Sequence, residues 1–78
     1  METSGTLDRL RPGQQAEITR VDAPAAERTR LMALGFVPGA PVRALLESPW
    51  GDPVAYGICG AVIALRRADA QQIGIKEV

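Results

Sequence analysis

The sequence predicts a mainly β domain: a small five-stranded β-barrel with one α-helix inserted between the first two strands and a short helical turn before the last strand. Three observations predict it. Several short runs alternate apolar and polar residues with period two, as half-buried strands do. Glycine and proline punctuate the ends of those runs, at Pro12-Gly13, Pro38-Gly39, Pro49 to Pro53 and Gly60, leaving space only for tight turns. One segment alone, Asp22 to Leu34, breaks the alternation, and its Leu31 and Leu34 lie three apart, on one face of a helix. Closure suits so short a chain because it removes exposed sheet edges. An SH3-like barrel is the first match for this pattern and a five-stranded OB-fold the second.

Each element follows from its residues. Residues 1–6 are small and polar and read as a flexible tail, so the folded domain is expected over residues 7–78. Leu7 and Leu10 begin it, and the Arg11-Pro12-Gly13-Gln14 turn feeds a strand from Gln15 to Val21 with Ala16 and Ile18 on one face and Glu17 and Thr19 on the other. Asp22 is placed to cap the helix, Pro24 to occupy its first turn and Glu27 to complement its positive dipole end. Arg28 and Arg30 read as its solvated face. With about three turns, the helix is too short to stand alone and must be docked.

Gly35 stands where a helix places a left-handed residue, and Pro38-Gly39 makes a second turn directly after it. The strand Pro41 to Glu47 then alternates Val42, Ala44 and Leu46 against Arg43, Leu45 and Glu47. A long turn, Ser48 to Pro53, leads into the strand Val54 to Cys59. Gly60 marks a tight hairpin into Ala61 to Leu65. Arg66 to Ala70 reads as one helical turn, and Gln72 to Val78 as the closing strand with Ile73 and Ile75 inward.

Composition bounds the function. The chain has 78 residues, nine Lys plus Arg against nine Asp plus Glu, and one cysteine. This is one domain, with no internal disulfide, that buries only about 60% of its unfolded surface. Zero net charge argues against non-specific nucleic-acid binding and against an anionic membrane as main partner. No apolar run approaches the roughly 20 residues of a membrane span, and the N-terminus lacks the basic start and apolar core of a signal peptide, so a cytoplasmic location is expected. A lone cysteine agrees with a reducing compartment.

Chemistry is sparse. The sequence has no histidine, which removes the commonest general base and the commonest metal ligand. Cys59 has no neighbouring cation and reads as a small packing residue. The carboxylates are scattered without ligand spacing, and no glycine-rich phosphate loop occurs. Arg66-Arg67 beside Asp69 reads as a solvated turn. No enzyme activity, cofactor or metal site is expected. What remains is recognition surface. Phe36 reads as core. Trp50, in a proline-bracketed turn, is either a lid on the barrel or a partner contact, since tryptophan is enriched in binding hot spots. A groove for proline-rich peptides would need clustered aromatics that are missing here.

Arg30-Leu31-Met32-Ala33-Leu34-Gly35-Phe36-Val37-Pro38-Gly39 resembles the helix-corner signature of the FeoA family, the small ferrous iron transport protein A. Ser48-Pro49-Trp50-Gly51-Asp52-Pro53-Val54 resembles that family's proline-glycine-aspartate-proline turn. Val62-Ile63-Ala64-Leu65-Arg66-Arg67-Ala68-Asp69-Ala70 resembles its apolar strand and following alanine-containing turn. With Leu10, Pro12 and Gly13, the resemblance spans roughly residues 7–78. It implies an SH3-like barrel with a helix between the first two strands, of a kind that also occurs at the C-terminus of iron-dependent repressors.

The resemblance further implies a cytoplasmic accessory of FeoB, the membrane transporter with a GTP-binding domain that carries ferrous iron inward, held at the inner membrane face through that partner. Arg28, Leu31, Met32 and Leu34 on the helix and corner, together with Trp50, are the expected partner-binding residues. Weak self-association is compatible with this reading. The alternative is a metal-responsive module that binds a divalent transition metal itself and oligomerises around it.

Overall fold

A computed structural model describes residues 4–78. It contains one six-stranded sheet, antiparallel throughout, in the order β1-β6-β2-β3-β4-β5. The strands are β1 (Ser4–Thr6), β2 (Gln15–Val21), β3 (Pro41–Glu47), β4 (Val54–Ile58), β5 (Ala61–Leu65) and β6 (Ile73–Glu77). Helix α1 (Ala25–Ala33) lies between β2 and β3, and the single turn α2 (Arg67–Ala70) precedes β6. A 3₁₀ turn, Leu7–Arg9, follows β1.

The helix insertion and the five strands from Gln15 onward stand where the sequence places them. Two expectations change. Ser4–Thr6 is not tail but strand: it pairs with Gly74 to Lys76, adding an edge to β6 that its small polar side chains do not advertise. Residues 1–3 of the expected tail lie outside the described residues. The barrel is also not closed by hydrogen bonding among the described residues, since the end strands β1 and β5 pair only with β6 and β4.

Inside the curled sheet, Leu7, Ile18, Leu31, Phe36, Val42, Tyr56, Ile58 and Ile73 are the largest fully buried side chains. Two bulges re-aim side chains. One, between Ile18 and Arg20, returns Val21 to the core after Thr19 and Arg20 face solvent. The other, between Ala44 and Leu46, breaks the expected alternation of β3: Val42 and Ala44 point inward, and Leu46 is turned out to 62% exposure.

Helix α1 begins one residue after Pro24, which serves as its N-cap. Asp22 makes no side-chain cap; its carboxylate accepts from Arg20 Nε instead. Capping by Asp22 is therefore corrected: an opposite charge two residues back is the closer partner.

Candidate docking surface

The corner after α1 is built by two successive turns. Phe36 N donates to Leu31 O (3.1 Å) and Gly35 N to Met32 O (3.0 Å), the paired bonds of a Schellman motif. Gly35 has φ 114°, a conformation that favours glycine, and an added Cβ there would also crowd Cys59 Sγ at 3.0 Å. Leu31 and Phe36, both fully buried, are the apolar residues this motif brings together. Ala40 N then donates to Val37 O across Pro38-Gly39, where Gly39 has φ 91°. Gly39 N to Ile18 O (2.8 Å) and Ile18 N to Ala40 O (2.9 Å) fasten this second turn to β2. The corner is a rigid platform.

The Trp50 turn is held differently. Gly51 N donates to Ser48 O (2.8 Å) and Ser48 N to Pro53 O (3.1 Å), closing the loop on itself. Arg67 clamps it from outside: its backbone N–H donates to Asp52 Oδ1 (2.9 Å), one guanidinium nitrogen to Gly51 O (3.0 Å), and another to Asp8 O (3.2 Å). The planar fork of arginine suits such simultaneous bonding to two carbonyls. Thus the pair read as a solvated turn is half structural: Arg66 is exposed, and Arg67 ties the 3₁₀ turn, the Trp50 turn and α2 together. Its partners lie 59 and 16 residues away, which local sequence cannot reveal. Beneath this clamp, Tyr56 Oη donates to Leu7 O at 3.3 Å. Burial pushes the Tyr56 phenol up from 10.0 to about 12; Arg67 pulls it down, and Asp8, Glu47 and Asp52 add to the rise.

The five expected contact residues do not form one patch. Leu31 is 0% exposed and cannot touch a partner; it anchors α1, and its place in the surface is corrected. Met32 and Leu34 are half-buried against the core, and Arg28 is exposed. Trp50 is 89% exposed, so it is no lid. The corner packs beside Ile58 and Cys59 at one end of β4, whereas the Trp50 turn precedes Val54 at the other. At about 3.4 Å per residue, β4 separates them by roughly 14 Å. Cys59 is also corrected: it is exposed, with φ 50°, in the two-residue turn between β4 and β5, its thiol 3.7 Å from Gly35 O. The steric cost of a Cβ on a left-handed backbone is tolerated there because Cys59 and Gly60 must both take positive φ for a type I′ hairpin.

Among the described residues no group of three or more His, Cys, Asp or Glu side chains stands together for a metal ion, and no helix is long and apolar enough to cross a membrane. An SH3-like antiparallel module with a capped helix-corner and a clamped, outward-facing tryptophan is the class of protein that the fold and surface define. The FeoA domain model matches residues 5–77, and the chain belongs to the FeoA family.

Its relatives agree. It is 37% identical over 70 residues to the Fe(2+) transport protein A/Fe(2+) transporter FeoB fusion protein of Porphyromonas gingivalis, a match covering 90% of this chain. The chain spans only 8% of that protein's length. The solution structure of FeoA from Chlorobium tepidum superposes with TM-score 0.87 at 38% identity, covering 94% of this chain and 70% of the other. FeoA of Stenotrophomonas maltophilia in complex with zinc, described as a prokaryotic SH3 domain protein, superposes with TM-score 0.78 at 30% identity, covering 90% and 87%.

Proposed function

We propose that this protein is a cytosolic accessory of ferrous iron uptake that docks on a FeoB-type transporter, at the inner membrane face, and modulates it. The observation that carries this reading is the P. gingivalis relative, in which a transport protein A segment and a FeoB transporter share one chain. Covalent linkage keeps two partners at high effective concentration, which is useful only where they act together. The S. maltophilia relative, put forward as a ferrous iron transport activating factor, supports the same reading. Ferrous iron is then the transporter's cargo. Docking modulates the transporter only if its states, such as its nucleotide-bound and free forms, differ in affinity for this surface.

Trp50, the Met32-Leu34 corner and Arg28 are the contact residues in this proposal, with Leu31 as their support. The test is co-purification with the FeoB-type transporter of the same organism, with and without guanine nucleotide. Wild-type protein is expected to be retained in at least one nucleotide state, and Trp50→Ala to weaken retention by about tenfold or more, as loss of a hot-spot tryptophan does. No complex in any nucleotide state refutes the proposal. Zinc in the S. maltophilia complex favours the second reading, a module that binds a transition metal and oligomerises around it. The scattered carboxylates and single thiol make a poor donor set within one copy. A stoichiometric metal surviving dialysis of untagged protein would favour that reading over docking alone.

A further inference from the structure

Strand β5 ends the sheet, and its outer edge faces no other strand of the described chain. The Cys59-Gly60 turn pairs Ile58 with Ala61, Tyr56 with Ile63 and Val54 with Leu65. Hydrogen-bonded and non-bonded pairs alternate in an antiparallel ladder, and a two-residue turn is closed by a bonded pair. Ala61, Ile63 and Leu65 therefore direct their N–H and C=O groups to β4, and Val62 and Ala64 direct theirs outward. Among the described residues, no turn or loop backbone bond reaches them.

Natural sheets blunt such edges with lysine, proline or inward charge. Ala61-Val62-Ile63-Ala64-Leu65 has none of these. The outer face beside it is apolar too: Val62 is 68% and Leu46 62% exposed, and Leu45 lies over Gly57, the cross-strand neighbour of Val62.

We propose that β5 pairs antiparallel with β5 of a second copy of this chain, about a two-fold axis through Ile63, forming a weak homodimer. The sequence of the strand is complementary to itself in that register. Ile63 meets its own copy as a non-bonded pair. On the exposed face Val62 meets the second copy's Ala64, a large side chain against a small one, on both sides of the axis, while Leu65, 3% exposed and held in its own core, only falls in register with the second copy's Ala61. The outward groups of Val62 and Ala64 form bonded pairs on both sides of the axis, four backbone hydrogen bonds in all. Arg66 falls opposite Gly60, so the nearest cations do not face each other. A generic extended peptide would satisfy the edge, but it would not set a small side chain against Val62 and a large one against Ala64 as a second copy does.

One strand pair and its flanks fall below the ~1,200 Å² of a standard interface, so the association is weak and concentration-dependent. The dimer stands independently of the transporter reading. Sedimentation equilibrium on the full chain tests it: the mass is expected to rise from 8.3 kDa toward twice that with concentration. Ala64→Pro removes an outward N–H that β4 does not use, a change an edge strand tolerates. Because the axis doubles each change, it should weaken self-association by roughly tenfold. Val62→Lys, at an exposed position, should weaken it similarly with the circular dichroism spectrum retained. Mixing Val62→Lys with Ala64→Glu protein should restore it, since the introduced ammonium and carboxylate then face each other. A mass fixed at 8.3 kDa into the millimolar range overturns the proposal. So does self-association that neither substitution alters.

Discussion

Substituting Tyr56→Phe should give a variant that is less stable than wild type at neutral pH and more stable above about pH 11. Tyr56 is 1% exposed, and its hydroxyl donates to Leu7 O. Removing that bond costs about 1 kcal/mol, which for a domain of this size lowers Tm by about 4–8 °C. The second effect has the opposite sign. The folded-state phenol titrates at about 12 rather than 10.0 because burial opposes its charge. A folded pKa above the unfolded one means that the contribution is complete below pH 10 and is lost as pH rises toward 12. Two units at 1.36 kcal/mol each make the full contribution about 2.7 kcal/mol, of which about 1.4 is gone by pH 11. Phenylalanine has no proton to lose, so this component of the decline is absent in the variant. Thermal unfolding of both proteins by far-UV circular dichroism from pH 8 to 12 supplies the difference curve, in which contributions common to the two proteins cancel. The two curves should cross near pH 11. Parallel curves would show that Tyr56 does not resist ionisation in the folded state and would refute the reasoning.

Arg67→Ala should destabilise the fold by about 2–3 kcal/mol, since it leaves the carbonyls of Asp8 and Gly51 without their charged donor; chemical denaturation measures the loss, and Trp50 fluorescence anisotropy should fall as the turn loosens. Leu31→Ala should cost about 2–5 kcal/mol as a cavity beneath α1, whereas Arg28→Ala, on the exposed face, should stay within about 0.5 kcal/mol of wild type. Cys59→Asn should raise stability by about 0.5–1 kcal/mol, because asparagine before Gly60 accepts the left-handed conformation of a type I′ turn better than cysteine does; a loss of stability would mean that the contact of the thiol with Gly35 outweighs the backbone term.

Local signals carried most of the fold. Gly35, Pro38 and Gly39 declare their turns because a positive φ or a fixed φ is a property of one residue, and the bonds that follow are short-range. Ala16, Ile18, Ile73 and Ile75 declare their faces through period two. The misreadings have a common cause. Ser4–Thr6 becomes a strand because of β6, some 70 residues away, and Leu46 is turned out by a bulge that depends on pairing with β4. Arg67 looks solvated until the carbonyls it joins are brought to it by the fold. For the surface, the sequence left Trp50 open as lid or contact, and the fold decides it by turning the side chain outward to 89% exposure. The burial of Leu31 was written in its three-residue spacing from Leu34: a helix of nine residues has one apolar face, and the core takes it.

The separation of the corner from the Trp50 turn constrains how docking can act on a transporter. Each patch is rigid for its own reason, one through the Schellman motif and the bonds to β2, the other through Arg67. A partner that touches only one of them reads a local epitope and binds all of its states alike unless that epitope itself changes. A partner that touches both reads a distance, because β4, roughly 14 Å long, lies between them. Movement of two partner segments relative to each other then breaks one contact while the other holds. Differential affinity between states, the requirement for modulation, arises in that arrangement without any change in this protein. The β5 edge runs alongside β4 between the same two ends. Occupying it with a second copy would leave Trp50 and the corner uncovered by the strand pair itself while doubling the number of each on one assembly, so self-association and docking are compatible uses of one small surface.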